Sequence, residues 1–165
     1  MEYTQDLRLA FFLGILALMA AWETIAARKR RVSQRRTRWH WNLLMGGLGT
    51  VIVYPLGVLL QAGPAVGAAL AAEKHGWGLF NYLELPMLIT LPATILLLDL
   101  AIYAQHVVFH YVPVFWRLHR VHHTDLDLDV TSALRFHPVE IFLSMAIKMA
   151  LVAALGANPL GVLVF

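Results

Sequence analysis

The chain has 165 residues, of which 59% are hydrophobic and only 14% are charged, and it contains no cysteine. A soluble domain is about 45–50% apolar and about 25% charged, so this composition predicts an integral membrane protein with a single domain over residues 1–165. The lack of cysteine excludes disulfides and thiolate metal sites. Any metal must therefore be bound by nitrogen and oxygen. The net charge of +3 is less informative than the positions of the charges.

The N-terminal part contains the first predicted span and a basic segment. Residues 9–27 are mostly apolar. This run is close to the ~20 residues that a bilayer-spanning helix needs. A signal peptide would begin with a basic region, which is missing here, so we expect a retained anchor. Residues 28–38 carry seven basic residues and no acid. We interpret them as a topology signal that places this loop in the cytoplasm and the N-terminus outside, rather than as a nucleic-acid or anionic-lipid patch.

Further apolar stretches follow along the chain. Residues 39–60 are predicted to form a second span, which begins with an aromatic belt and contains glycines that let a neighbouring helix approach closely. Residues 61–82 are small and Gly-rich, and we expect an external loop with a partly embedded or re-entrant helix. Residues 83–105 and 139–155 are predicted as the third and fourth spans. The fold class is therefore all-α, a multi-pass transmembrane helical bundle of about four spans.

Six of the eight histidines lie in residues 99–140, and five of these fall between residues 106 and 123. In HVVFH (106–110) two histidines are spaced i and i+4, and in HRVHH (119–123) three are spaced i, i+3 and i+4. Each set is predicted to share one face of a helix. The intervening YVPVFW is expected to break the helix at Pro113. The topology predicts that this histidine cluster lies on the cytoplasmic side, with enough nitrogen for two divalent ions.

The chemistry of imidazole narrows the possible metals and reactions. Imidazole suits iron, zinc, copper and nickel. Iron held by neutral nitrogens can activate O2 towards an unactivated C–H bond, and a membrane brings acyl chains or sterols close to it. Zinc hydrolysis would need a carboxylate base inside the motif, and HExxH is absent. A b-type haem fits poorly, because its axial histidines face one another from separate helices.

Three further residues are candidates for supporting the ligands. Asp99 is about 10 Å from His106 along a straight helix at 1.5 Å per residue, so it would reach a histidine of another segment. Tyr103 is a candidate hydrogen-bond donor. Glu140 is expected either to cap the following helix or to orient a ligand.

The acidic alternation DLDLD follows the second histidine motif. Asp125, Asp127 and Asp129 have the spacing that begins a calcium loop, but Val130 and Phe136 stand where glycine and the bidentate glutamate are needed. We therefore predict a solvated loop, in which one of the acids could support a metal ligand.

The motifs HVVFH, WRLHRVHH and SALRFHPVE together resemble the fatty acid hydroxylase and sterol desaturase superfamily, over residues 99–140. The resemblance implies a membrane oxygenase that uses a di-iron centre, O2 and two electrons to hydroxylate or desaturate a fatty acid or sterol. It also implies a cytochrome b5-like or ferredoxin-like electron donor on the cytoplasmic side of a bacterial inner membrane or of the endoplasmic reticulum. The implied metal ligands are His106, His110, His119, His122, His123 and His137.

The family pattern also includes another histidine box downstream of the RFHP segment, and residues 141–165 contain no histidine. The sequence is therefore expected to be the N-terminal part of a longer hydroxylase-like domain. The alternative is a catalytically inactive, truncated membrane protein or a metal-binding remnant of the family. The genomic sequence just downstream separates the two, because an in-frame HxxHH would support the enzyme.

Overall fold

The computed structural model describes residues 2–27, 32–59 and 63–165. Within these residues the fold is all-helical, without a strand, which confirms the predicted fold class at this level. Residues 28–31, which hold four of the seven basic residues of the predicted topology signal, lie outside the described residues.

The described residues form eight α-helices and two short 3-10 helices. The α-helices are α1 (Glu2–Ile25), α2 (Arg35–Leu59), α3 (Pro64–His75), α4 (Leu79–Tyr82), α5 (Met87–Tyr111), α6 (Pro113–His119), α7 (Pro138–Leu155) and α8 (Pro159–Val164). The 3-10 helices, His122–Thr124 and Val130–Leu134, lie in the connection between α6 and α7.

Prolines mark where several helices begin. Pro64, Pro113, Pro138 and Pro159 each occupy the first turn of a helix, where the missing N–H is not needed and the fixed φ favours helix. The predicted break at Pro113 is confirmed, because α5 ends at Tyr111 and α6 begins two residues later.

Two of the described helices are long and apolar enough to cross a membrane, namely α5 and α7. They correspond to the predicted third and fourth spans. The apolar part of α1, Leu9–Ile25, is shorter, and α2 covers most of the predicted second span. The topology of four spans therefore stays a prediction.

The core lies where α3, α5, α7 and α8 meet. Ala65, Ala68 and Ala69 of α3 pack there with Leu98 of α5 and Val152 of α7. Small side chains on α3 let the neighbouring helices come close. The helix expected within residues 61–82 is α3, and its buried residues belong to the core. Its partly embedded or re-entrant position in a membrane stays a prediction.

The close helix approach predicted for Gly46, Gly47, Gly49 and Gly57 is confirmed at two of them, and the surroundings of Gly57 lie outside the described part of the chain. A Cβ on Gly49 would clash with the Cδ1 of Ile141 on α7, and one on Gly46 would lie 3.1 Å from the Cβ of Leu134. A Cβ on Gly47 would meet nothing within 4 Å. Gly46 and Gly49 thus bring α2 against the segment that follows the histidine motifs.

Candidate metal centre

Four of the six predicted ligands meet near the C-terminal end of α5. His106, His110, His119 and His123 each offer a ring nitrogen, and these four atoms lie within 4.8 Å of one another. The Nε2 atoms of His106 and His110 are 3.1 Å apart, and those of His119 and His123 are 3.2 Å apart. Metal–imidazole bonds of ~2.0–2.1 Å place the nitrogens around one ion about 3–4 Å apart. The two closest pairs have about this spacing, and the group as a whole could hold a metal ion.

Two short segments supply these ligands. His106 and His110 lie one turn apart near the end of α5, so the predicted shared face of HVVFH is confirmed. His119 is the last residue of α6, after which the chain enters the 3-10 helix that contains His123.

The predicted common helix face of HRVHH is wrong. His123 turns towards His119, with ring centroids 4.9 Å apart. The ring of His122 instead stacks on Phe136 at 4.5 Å with an interplanar angle of 4°. The change from α-helix to 3-10 helix alters the rotation per residue, and neighbouring histidines therefore point to different partners.

Glu140, in the first turn of α7, supports His119 from the side opposite the other imidazoles. Nδ1 of His119 donates to Oε1 of Glu140 at 2.6 Å, and the two side chains are only 1% and 5% exposed. A carboxylate on Nδ1 fixes the tautomer and leaves the Nε2 lone pair available for a metal. Of the two roles expected for Glu140, this contact supports the orientation of a ligand.

The local environment favours the neutral form of two ligands. Burial, together with the neighbouring imidazoles of His110 and His122, lowers the pKa of His119. Burial and the neighbouring imidazoles also lower the pKa of His123. Metals bind the neutral imidazole, so protons compete weakly for these two side chains near neutral pH.

The other two predicted ligands lie outside the group of four. His122 has its ring centroid 5.8 Å from that of His119, and its buried Nδ1 has no hydrogen-bond partner in the described part of the chain. Nδ1 of His137 accepts a hydrogen bond from the backbone N–H of Val139 at 3.2 Å and caps α7. The structure therefore gives His137 a local role in helix capping and leaves His122 with an unpaired nitrogen.

The predicted supporting roles of Asp99 and Tyr103 have no matching contact among the described residues. Both side chains are exposed on α5, Tyr103 by 67%. Their roles stay predictions.

An apolar cavity of about 290 Å³ opens beside His106 and His119. Its apolar lining comprises Ile102, Phe109, Phe136, Ile141 and Met145, and its polar lining comprises Gln105, Glu140, Ser144 and Lys148. Nε2 of Gln105 donates to Oγ of Ser144 at 2.6 Å, which joins α5 to α7 across the cavity. Gln105 and Phe136 were not predicted as site residues, and the only signal in the sequence was that each directly precedes a histidine.

The prediction of a solvated acidic loop is wrong. Nη1 of Arg38 donates to Oδ1 of Asp125 at 2.9 Å, and Nη2 donates to Oδ2 of Asp129 at 2.6 Å. Nδ2 of Asn42 donates to Oδ2 of Asp125 at 2.9 Å. These partners lie on the first turns of α2, and they hold the loop that follows His123 against that helix.

Hydrogen bonds also determine the ionisation of this loop. Burial alone would raise the pKa of Asp125, but hydrogen bonds from Asn42, Ser132 and Arg38 outweigh it and lower the pKa to about 2. Asp125 is therefore a carboxylate at neutral pH, paired with the Arg38 guanidinium.

In the described residues, the fold and the site together define a helical protein with a cluster of imidazoles that could hold a metal ion, beside two helices of membrane-spanning length. Residues 91–165 match the model of the fatty acid hydroxylase family. This segment contains all six predicted ligands, and the match supports membership of the fatty acid hydroxylase and sterol desaturase superfamily. No curated protein and no solved structure matches the chain.

Proposed function

We propose that the chain is a membrane-bound, O2-dependent lipid hydroxylase or desaturase that acts on a fatty acid or sterol. The observation that carries this proposal is the convergence of four imidazole nitrogens within 4.8 Å at the wall of an apolar cavity. Membership of a family of oxidoreductases agrees with it.

The donor set is consistent with the metal that the family uses. Four imidazole ligands suit iron among other borderline metals. The carboxylate of Glu140 contacts Nδ1 of His119. His106, His110, His119 and His123 would hold one ion, and His122 and His137 are the remaining predicted ligands for a second ion of a di-iron centre. When bound, the iron supplies the oxidation of an unactivated C–H bond by O2.

The chain's own residues have three roles in this reaction. The cavity binds an apolar segment of the lipid, so that its C–H bonds lie next to His106 and His119. Phe109 and Phe136 line that space and exclude water from it. Glu140 accepts a hydrogen bond from Nδ1–H of His119 and thereby keeps Nε2 directed at the metal.

Topology and electron supply belong to the same proposal. Candidate ligands lie at the C-terminal end of α5, and Glu140, which contacts the ligand His119, lies at the N-terminal end of α7. The acidic loop between α6 and α7 binds Arg38 and Asn42 near the N-terminal end of α2. The basic segment 28–38 immediately precedes and overlaps that end of α2. This common location supports a cytoplasmic histidine cluster, which a cytochrome b5-like or ferredoxin-like donor reduces.

The test uses the full chain in phospholipid nanodiscs, loaded with iron and supplied with O2, a reductant and a fatty acid or sterol. Mass spectrometry should find a product that has gained one oxygen, for hydroxylation, or lost two hydrogens, for desaturation. His119→Ala should abolish the product. His75→Ala, which removes an exposed histidine stacked on Trp77, should retain it. An iron-loaded chain that yields neither product with either lipid would overturn the proposal.

A further inference from the structure

The loop DLDLD presents its leucines outwards. Leu126 is 79% exposed and Leu128 is 78% exposed, whereas the three aspartates between and beside them are bound by other segments. The chain bends at residues 126 and 127, and the contacts of the aspartates leave the two leucines on the outer side. The alternation in sequence thus becomes an acidic inner side and an apolar outer side.

The inner side holds the loop in place. Asp125 and Asp129 bind Arg38, and Asp127 accepts hydrogen bonds from the backbone N–H groups of Val32 and Ser33 at 2.8–3.1 Å. The two leucines are therefore not the mobile side chains of a free loop. A fixed loop that exposes large apolar side chains is typical of an interaction surface.

A third apolar side chain joins this surface. Val32 is 80% exposed, and its N–H lies 3.0 Å from Oδ2 of Asp127, the residue between the two leucines. We refer to Val32, Leu126 and Leu128 as the hydrophobic tip.

The sequence that contains Val32 is strongly basic. The segment 28–38 has seven basic residues and no acid, and the loop DLDLD has three acids, so segment and loop together keep a net charge of +4. Asp125 and Asp129 pair with Arg38 of this segment. Apolar side chains flanked by Lys and Arg bind anionic lipid surfaces, where the apolar groups enter the headgroup boundary and the cations bind phosphates. The exposed leucines therefore support an anionic-lipid role for this segment, which the sequence alone did not favour.

We propose that the hydrophobic tip inserts into the interfacial layer of an anionic bilayer, the same bilayer that α5 and α7 are proposed to span. This inference rests on the membrane location in the proposed function but not on the oxygenase activity. Leu126 is three residues after His123, so the insertion brings the candidate metal centre next to the headgroup layer, on its aqueous side. A lipid would then reach the cavity without leaving the membrane.

The absence of cysteine makes a depth measurement direct. Single cysteines at Leu126, Leu128, Leu96 and Arg120 are labelled with a nitroxide in the full chain, which is reconstituted in nanodiscs of phosphatidylcholine mixed with phosphatidylglycerol. Relaxation by oxygen, which concentrates in lipid, is compared with relaxation by a water-soluble nickel complex. Leu96 is a 70% exposed residue of α5 and serves as the lipid reference. Arg120 is exposed in the histidine segment and serves as the water reference.

We expect the labels at Leu126 and Leu128 to be relaxed more by oxygen than by nickel, as at Leu96 and unlike at Arg120. The preference for oxygen should fall in nanodiscs of phosphatidylcholine alone, because the basic segment then has no anionic partner. Equal depth in the two lipids would overturn the requirement for an anionic surface.

Two further outcomes would also count against the inference, and they are distinguishable. Water-like labels at Leu126 and Leu128 beside a lipid-like label at Leu96 would mean that the hydrophobic tip is free for a protein partner, and the inference would be wrong. A water-like label at Leu96 as well would overturn the membrane location itself. Each labelled variant should retain the helical circular dichroism of the parent chain, since the replaced side chains are exposed.

Discussion

The Nδ1 atom of His119 and the Oε1 atom of Glu140 are 2.6 Å apart, although 21 residues separate them in the chain. This buried pair connects the end of α6 to the first turn of α7. It is the contact that determines which nitrogen of His119 faces the other imidazoles. The pair therefore links the fold of the chain to the metal affinity of the cluster.

Replacing Glu140 should weaken metal binding before it affects the fold. Carboxylates that support a ligand are typically worth about 10–100-fold in metal affinity. We expect Glu140→Ala to lose affinity within this range and Glu140→Gln to lose less, because its amide oxygen still accepts from Nδ1. Competition with a chelator measures the affinity. Glu73→Gln, at an exposed acid of α3, is the matched control, and wild-type affinity in Glu140→Ala would contradict the assignment.

His137 should behave as a helix cap. Its Nδ1 accepts from the N–H of Val139, and loss of a capping side chain costs about 0.5–2 kcal/mol. His137→Ala should lower the thermal unfolding midpoint while the ion held by His106, His110, His119 and His123 stays bound. His137→Ser should restore the midpoint, because a hydroxyl can also cap. If His137 is a ligand of a second ion, elemental analysis will instead show metal lost equally from both variants.

Arg38 should be the most sensitive basic residue of the described part of segment 28–38. It is buried against Asp125 and Asp129, and removing one partner of a buried ion pair costs about 3–5 kcal/mol. We expect Arg38→Ala to destabilise the chain by about this amount in denaturant unfolding. Arg36→Ala, at an exposed neighbour, should stay within about 0.5 kcal/mol. A similar loss of stability in the two variants would show that stability depends on net charge and not on the ion pairs of Arg38.

The stability of the chain should fall in acid through Asp125. Its pKa is about 2 in the folded chain, below the ~3.9 of an unperturbed aspartate. The unfolded chain therefore binds the proton more readily, and the contribution of the carboxylate is complete above about pH 4 and is lost as the pH falls towards 2.

Unfolding followed at a series of pH values tests this expectation. The wild-type chain should lose stability between pH 4 and pH 2 more steeply than Asp125→Asn, which cannot titrate there. Asp125→Asn should also be the less stable chain at pH 7, because the guanidinium of Arg38 loses its charged partner. Parallel pH profiles for the two chains would show that Asp125 does not carry the acid sensitivity.

Local patterns predicted much of the helical framework. The apolar stretches at 83–105 and 139–155 correspond to α5 and α7, and Pro113 ends one helix and begins the next. The spacing of His106 and His110 was sufficient to place both imidazoles on one face, because one turn of α-helix joins them. These features depend on residues that are close in the chain, and a sequence displays such relationships directly.

The partners of the acidic loop could not be predicted in the same way. Asp125 lies 87 residues from Arg38 and 83 residues from Asn42. Nothing in the alternation DLDLD indicates which other segment neutralises it, and a solvated loop was the expected outcome of an isolated acidic stretch. The different directions of His122 and His123 likewise depend on a 3-10 turn and on the ring of Phe136.

The sequence by itself determined the all-helical class of the fold, most of the helical elements and the imidazole donor set. Composition, apolar periodicity and histidine spacing are local properties, which a sequence shows directly. Only the tertiary structure decided which four histidines come close enough to hold one metal ion, that Glu140 contacts Nδ1 of His119, and that Arg38 binds the loop that follows His123. These contacts join helices that are distant in the chain, and the packing of the helix ends against one another determines them.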